Sequence, residues 1–255
     1  MIRDPETLNA LLDTVNRFVR ERLVPAEAHV AETDEIPEDI VQEMKDMGLF
    51  GLTVPESYGG LELTMEEEVM VMLAMGQTSP CFRSLFGTTV GIGSQGILFD
   101  GTEAQKAKYL PKLATGELIA SFALTEPDAG SDAASLRTTA IRGTDADGDH
   151  YIVNGQKVWT SRLQHSDFML LLARTTPLAE VKKKSEGLSV FLVDLREEVG
   201  KTITVKPIRN MVNHETNEIF IDNLRIPVEN RIGEEGKGLK YIMDGLNAER
   251  ILIAA

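Results

Sequence analysis

The chain changes its hydrophobic period twice, near residues 117 and 235. Up to about residue 117 the apolar side chains recur every three or four positions. From about 118 to 234 they fall in short runs, and after 235 the helical spacing returns. Side chains repeat every 3.6 residues in a helix and every two in a strand, so neither pattern can be laid on the other element. The order is therefore helices, then a sheet, then a helix. In "DPETLNALLDTVNRFVRERL", Asp4 is a natural N-cap and Pro5 suits the first helical position, while Leu8, Leu11, Leu12, Val15, Phe18 and Val19 make one stripe. "PEDIVQEMKDMG" repeats the pattern with Ile40, Val41 and Met44, and Gly48 stands at its stop. Thr64 with Glu67, and Thr102 with Gln105, have capping-box spacing. "GTTVGIGSQGIL" is apolar and rich in small residues, which suits either a closely packed helix or a surface approached by something flat.

The runs "LIASFALTE", "YIVNGQKVWTSR", "FMLLLART", "LSVFLVDL", "ITVKPI" and "NEIFIDNLRIP" are rich in β-branched and aromatic residues and are separated by Gly, Asp, Asn and Pro. Asn154-Gly155 predicts a two-residue hairpin turn, whose central residues both need positive φ. "TDADGDH" reads as another hairpin tip. As a calcium loop it would have Gly148 out of place and Gln156 where a bidentate Glu closes the site. In "LKYIMDGLNAERILIAA" the expected stripe is Leu239, Ile242, Met243, Leu246 and Ile253, with Glu249 and Arg250 on its flanks. The chain reaches Ala255 without a C-terminal helix signal, so the expectation is a fragment of a longer protein. The predicted fold class is α+β multidomain. It comprises an N-terminal all-α domain over 1–117, a middle antiparallel β-barrel-like domain over 118–234, and the first helix of a C-terminal helical bundle over 235–255.

Charge and composition narrow the functions. A net charge of -14 argues against nucleic acid or an anionic membrane surface as partner. One cysteine, Cys81, excludes an internal disulfide and a thiolate zinc cluster, and His150, His165 and His214 lack metal-ligand spacing. No apolar run is long enough to span a membrane, and "MIRDPETLNA" is not a signal peptide, so the expected location is cytoplasmic.

The loop "ALTEPDAGSD" is strongly polar and directly follows the apolar "ELIASFAL". "FALTEPDAGSDAASL" closely resembles the pattern of the acyl-CoA dehydrogenases, flavin enzymes that desaturate acyl thioesters between Cα and Cβ. "GTEAQKAKYLPKLATGE" before it, and "NGQKVWTSRLQHSDFMLLLART" and "TNEIFIDNLRIPVENRIGEEGKGLKYIMDGLNAER" after it, follow in the family's order and approximate spacing. The resemblance implies FAD as cofactor, an acyl-CoA substrate, an electron-transfer flavoprotein as acceptor, and a homotetramer or homodimer. It implies that Phe122, Leu124 and Thr125 line the flavin and that Gly130 and Ser131 approach the pyrophosphate and CoA. Trp159 would flank the ring system, and Ser161 would face N5, where the family often has Thr. Such chemistry needs donors along the flavin's pyrimidine edge, an apolar wall, and a carboxylate to take the α-proton. In many members the catalytic Glu lies far downstream. In others it sits on the helix represented here, at Glu249, with Arg250 beside base and substrate.

Without the resemblance, Trp159 reads as core and Thr125 and Ser161 as turn formers. Glu126 and Asp132 read as loop braces in either case. Two other functions stay open: another flavin reaction on the same scaffold, such as a nitroalkane oxidase or flavin-dependent hydroxylase, and a non-enzymatic acyl-CoA-binding or assembly protein.

Overall fold

A computed structural model describes residues 2–210 and 216–255; His214 lies outside the described residues. The N-terminal part is helical. Asp4 caps α1 (Pro5–Phe18), its carboxylate accepting from the N–H groups of Glu6 and Thr7, and a π-helical turn, Val19–Leu23, leads into α2 (Val24–Thr33). After α3 (Glu38–Asp46), Gly48 takes φ 74°, the left-handed stop expected of it. The helix α4 (Met65–Met75) begins in the Thr64/Glu67 capping box. Next, α5 (Pro80–Thr88) runs through a second π-helical turn, Thr89–Gly93, into α6 (Ser94–Asp100). The Thr102/Gln105 box then opens α7 (Glu103–Ala114). The stripe on α1 is buried where predicted, through Leu8, Val15 and Phe18. It packs with Ile40, Met44, Val71, Met75, Phe82 and Phe86 in one core.

Eight strands follow: β1 (Ala120–Ala123), β2 (Thr139–Asp145), β3 (Gly148–Ser161), β4 (Phe168–Arg174), β5 (Leu188–Asp194), β6 (Ile203–Ile208), β7 (Thr216–Pro227) and β8 (Arg231–Ile232). They form one sheet in the order β6-β7-β3-β2-β4-β5-β8, with β1 beside β4. The pairings are mostly antiparallel, while β1 runs parallel to β4 from Ala120 opposite Phe168 to Ala123 opposite Leu171. A short helix, α8 (Leu195–Glu198), separates β5 from β6, and α9 (Gly238–Ala254) closes the described chain.

Every residue of β4 is buried because the strand has a core on each side. Met169, Leu171 and Ala173 face Tyr151, Val153, Phe191 and Ile219. Phe168, Leu170 and Leu172 face Leu110 and Leu113 of α7 and Ile242 of α9. An uninterrupted apolar run is the pattern that a strand covered on both faces requires. The sheet is thereby fixed to the helices. No helix among the described residues is long and apolar enough to cross a membrane.

Two local expectations are corrected. The Asp145–Gly148 segment does turn the chain between β2 and β3, but Asn154-Gly155 makes no hairpin. It lies within β3, where the pairing with β7 shifts register between Val153 and Gly155. Partner strands on both sides of β3 override the turn propensity. A glycine is required there for space: a Cβ on Gly155 would come within 2.4 Å of Thr138 Oγ1 and 2.7 Å of that residue's Cα. On α9 the buried residues are Gly238, Ile242, Gly245, Glu249 and Leu252, while Met243, Ile251 and Ile253 are exposed. The stripe is rotated from the expected one: Ile242 and Leu252 stay in the cores, Gly238 packs on β5, and Glu249 faces the glycine turn in place of Met243 and Ile253.

Gly155→Ala is expected to lower stability by about 1–3 kcal/mol, the usual cost of forcing a methyl into filled space. Urea denaturation checks this, and an unchanged midpoint would contradict the packing described.

Candidate active site

β1 delivers the chain to the loop that carries most of the predicted cofactor residues. Phe122, Leu124 and Thr125 are half-buried, and the Thr125 carbonyl accepts from the Val158 N–H at 2.9 Å. That bond ties the end of β1 to β3 beside Trp159. Trp159 is 61 % exposed and has φ 61°, in the left-handed region that bulky residues avoid. It stands in the second irregularity of the β3–β7 ladder, between Lys157 and Thr160. A bulge re-aims a side chain, and strained backbone of this kind gathers at binding sites. The indole is thus turned out of the core, against the expectation from a strand Trp alone. Ser161, two residues on, is half-buried.

The loop is braced by buried charge. Lys157 is fully buried, and its Nζ lies 2.9 Å from Glu126 Oε1 and 3.0 Å from the Leu124 carbonyl oxygen. Glu126 also accepts from the Arg137 N–H at 2.6 Å, from the Thr138 N–H at 2.8 Å and from the Thr138 hydroxyl. Burial alone would raise the Glu126 pKa, but the Lys157 ammonium and these hydrogen bonds hold it below its ordinary value. Burial lowers Lys157 to about 8 even though Glu126 pulls the other way. The pair is ionised at neutral pH. Asp132 likewise braces, accepting from Ser135 Oγ at 2.6 Å and Lys184 Nζ at 3.0 Å. Gly130 and Ser131 stand exposed on the same loop, and a Cβ at Gly130 would meet nothing within 4 Å.

A second cluster lies where α4, α5 and α9 meet the π-helical turn Thr89–Gly93. Glu249 is 8 % exposed. Its Oε1 lies 3.1 Å from Arg83 Nη2, and its Oε2 is buried without a hydrogen-bond partner. That oxygen faces Gly91, where a Cβ would come within 2.4 Å of it. The same turn reaches β1, since Thr89 Oγ1 accepts from the Ala120 N–H at 3.1 Å. One irregular turn therefore links the carboxylate to the strand that leads into Phe122–Thr125. π-Helical turns recur at functional sites because the extra residue re-aims the helix.

The arginine beside Glu249 is Arg83, not Arg250. Arg250 is exposed and donates to Asn247 Oδ1 at 2.7 Å, one turn back along α9. Adjacent residues of a helix lie 100° apart, so when Glu249 faces inward its neighbour faces out. Arg83 and Lys157 escaped sequence reasoning. Arg83 is 166 positions from its partner, whereas Lys157 shares the inward parity of Tyr151 and Val153, and a lysine there demands a buried anion. A cavity of about 660 Å³ lies against α1 between Arg3 and Leu63, away from these residues, and none of the predicted cofactor or catalytic residues lines it.

Two family models match in succession: the acyl-CoA dehydrogenase N-terminal domain over residues 5–117 and the acyl-CoA dehydrogenase middle domain over residues 121–224. An acyl-CoA dehydrogenase of Bacillus subtilis (strain 168) is 34% identical over 242 residues, covering 94% of this chain and 62% of the relative. The glutaryl-coenzyme A dehydrogenase in its glutaryl-CoA complex superposes with a TM-score of 0.87 at 31% identity, covering 100% of this chain and 63% of that one. The acyl-CoA dehydrogenase complexed with FAD from Bacillus anthracis gives a TM-score of 0.82 at 30% identity, over 97% of this chain and 41% of that one. The chain thus spans less than two thirds of each of these proteins.

Lys157→Met would leave Glu126 a buried carboxylate without its counterion, a change that costs about 3–5 kcal/mol. A carboxyl with a depressed pKa contributes stability above its unfolded value and loses it as pH falls through the folded one. The penalty should therefore be largest near neutrality and shrink as pH falls and Glu126 takes up a proton, which happens at a higher pH in the variant, where burial acts without the opposing ammonium, than in the wild type. Urea midpoints of both proteins from neutral to acid pH check it; a penalty independent of pH would contradict an ionised pair.

Proposed function

The chain belongs to the acyl-CoA dehydrogenase family, and on that premise we propose that the protein carrying it catalyses FAD-dependent α,β-dehydrogenation of an acyl-CoA thioester to the trans-2-enoyl-CoA, with Glu249 as the base. The observation that carries this reading is the Glu249 carboxylate, with one oxygen held by Arg83 and the other buried, unpartnered and facing a glycine.

The residues present suit a flavin. Trp159 offers an exposed aromatic face on strained backbone, and Phe122 and Leu124 offer half-buried apolar surface. Thr125 and Ser161 carry hydroxyls near the junction of β1 and β3. Trp159 would form the wall beside the ring system, Thr125 and Ser161 would donate to its polar edge, and Gly130 and Ser131 would meet the pyrophosphate and CoA. FAD bound there supplies the acceptor for the β-hydride of the substrate.

The chain's own residues do the rest. Glu249 takes the α-proton at Oε2: the substrate C–H bond breaks, an O–H bond forms, and the carboxylate charge is discharged. Arg83 holds Oε1, and Oε2 fills the place beside Gly91 where a Cβ would stand, so the carboxylate keeps one orientation. Fixing a base in one attack geometry lowers the entropic part of the barrier. Burial keeps bulk water away from Oε2. Holding the carboxylate, one part of the role assigned from sequence to Arg250, falls to Arg83, while Arg250 keeps its assignment toward the substrate. The same reading extends to an electron-transfer flavoprotein as acceptor and to a homodimer or homotetramer as the assembly.

Glu249→Gln keeps shape and hydrogen bonding but cannot accept the proton. With flavin content unchanged, stopped-flow reduction by acyl-CoA should fall by several orders of magnitude, as expected on loss of the only base. Gly91→Ala should fall in the same direction by a smaller factor, because its methyl displaces Oε2 without removing it. Reduction above about a tenth of the wild-type rate in Glu249→Gln would place the base elsewhere.

A further inference from the structure

α4 opens with three consecutive glutamates, and only two have a local explanation. Glu66 stands in the first turn, where the helix dipole favours negative charge. Glu67 completes the capping box and accepts from the Arg3 N–H at 2.7 Å. Glu68 is different: it is 1 % exposed, and its Oε1 is buried without a partner. It precedes Val71 and Met72 by one helical turn, and those residues enter the core with Phe82, Phe86 and Leu252. A carboxyl in such surroundings costs several kcal/mol unless it is neutralised or paired.

The charged groups that act on it come from two neighbouring helices. Arg83 reaches it from α5 and Glu249 from α9. On the side of α1, Arg3 engages Glu67 instead. Two buried carboxyls and one half-buried guanidinium thus come from three neighbouring helices. Arg83 lies along α5 over Gly87, where a Cβ would come 3.3 Å from its Cζ, and its guanidinium is held by Glu249 at 3.1 Å.

Resting on the reading of Glu249 as the base, we propose that Glu68 is a positioning residue: it sets a second buried carboxyl near the Arg83–Glu249 pair, and its protonation decides whether Arg83 stays committed to Glu249. With a proton on Glu68, the cluster carries one positive and one negative charge, and Arg83 is committed to Glu249. If both carboxyls ionise, one negative charge is left in the core without a counterion, and Glu68 competes for Arg83. Burial first, and the Glu249 charge second, push the Glu68 carboxyl up to about 7, against the opposing pull of Arg83. Glu68 therefore keeps its proton below neutrality and releases it above, where Glu249 loses part of its hold.

Two readouts test this. In protein labelled with ¹³C-glutamate, the Glu68 carboxyl resonance, assigned by its absence in Glu68→Gln, should titrate near pH 7. In Glu249→Gln its midpoint should fall, because the neighbouring like charge is gone. In the flavin-loaded protein, the reduction rate should decline above about pH 7, and Glu68→Gln, fixed in the neutral form, should lose that decline while still being reduced. A Glu68 midpoint below about 5, or one unmoved by Glu249→Gln, overturns the proposal. So does a Glu68→Gln pH profile that matches the wild type. If Glu68→Gln does not fold, assignment by difference passes to Glu68→Asp and the shift in Glu249→Gln decides. The NMR arm reads the coupling whether or not Glu249 is the base, so its failure is separable from failure of the base reading, which the Glu249→Gln reduction rate reports.

Discussion

The buried ion pair between Lys157 and Glu126 is the contact on which the geometry of the sheet-side surface depends. Its nitrogen and oxygen are 2.9 Å apart in a site where Lys157 has no exposure. The same ammonium holds the Leu124 carbonyl, and the same carboxylate gathers the backbone of Arg137 and Thr138. The exit of β1, the start of β2 and the bulged end of β3 are thereby drawn to one point. Trp159 projects from that point on left-handed backbone, which persists only where the surroundings over-determine it.

Two buried glutamates in one chain show how context separates structure from chemistry. Glu126 has its lone pairs taken up by an ammonium, two N–H groups and a hydroxyl, so it has nothing left to offer a substrate. Glu249 has one oxygen engaged and one empty. Leaving a buried acceptor unpaired costs about 1–3 kcal/mol, more for a charged group. Folds carry few such groups, and each asks for a reason. Here the vacancy adjoins a π-helical turn with glycine at the point of approach. That turn also bonds to β1, so the empty oxygen and the loop of predicted cofactor residues are placed by the same few residues.

Features set by neighbours in the chain were legible from the sequence. The caps at Asp4, Thr64 and Thr102, the stop at Gly48 and the change from helical to strand period each depend on contacts within a turn or two. The four ordered blocks pointed to the family. Features set by distant parts of the chain were not legible. Asn154-Gly155 has the local chemistry of a turn, yet strands on both sides hold β3 extended through it. Arg83 and Glu249 meet across 166 residues, and nothing in either segment names the other. Glu68 reads as an ordinary acidic first-turn residue until α5 and α9 close over it. The inward parity of Lys157 was a usable signal, because a strand that places Tyr151, Val153 and Lys157 on one face must bury an anion with them.

The central claim is that this set of residues serves acyl thioester oxidation, and an anaerobic titration of the flavin-loaded protein with a panel of saturated acyl-CoAs tests it most directly. The account predicts that at least one member bleaches the flavin absorbance in the absence of any other reductant. A flavin that stays oxidised with the whole panel, while a nitroalkane or an aromatic substrate reduces it, would contradict the account.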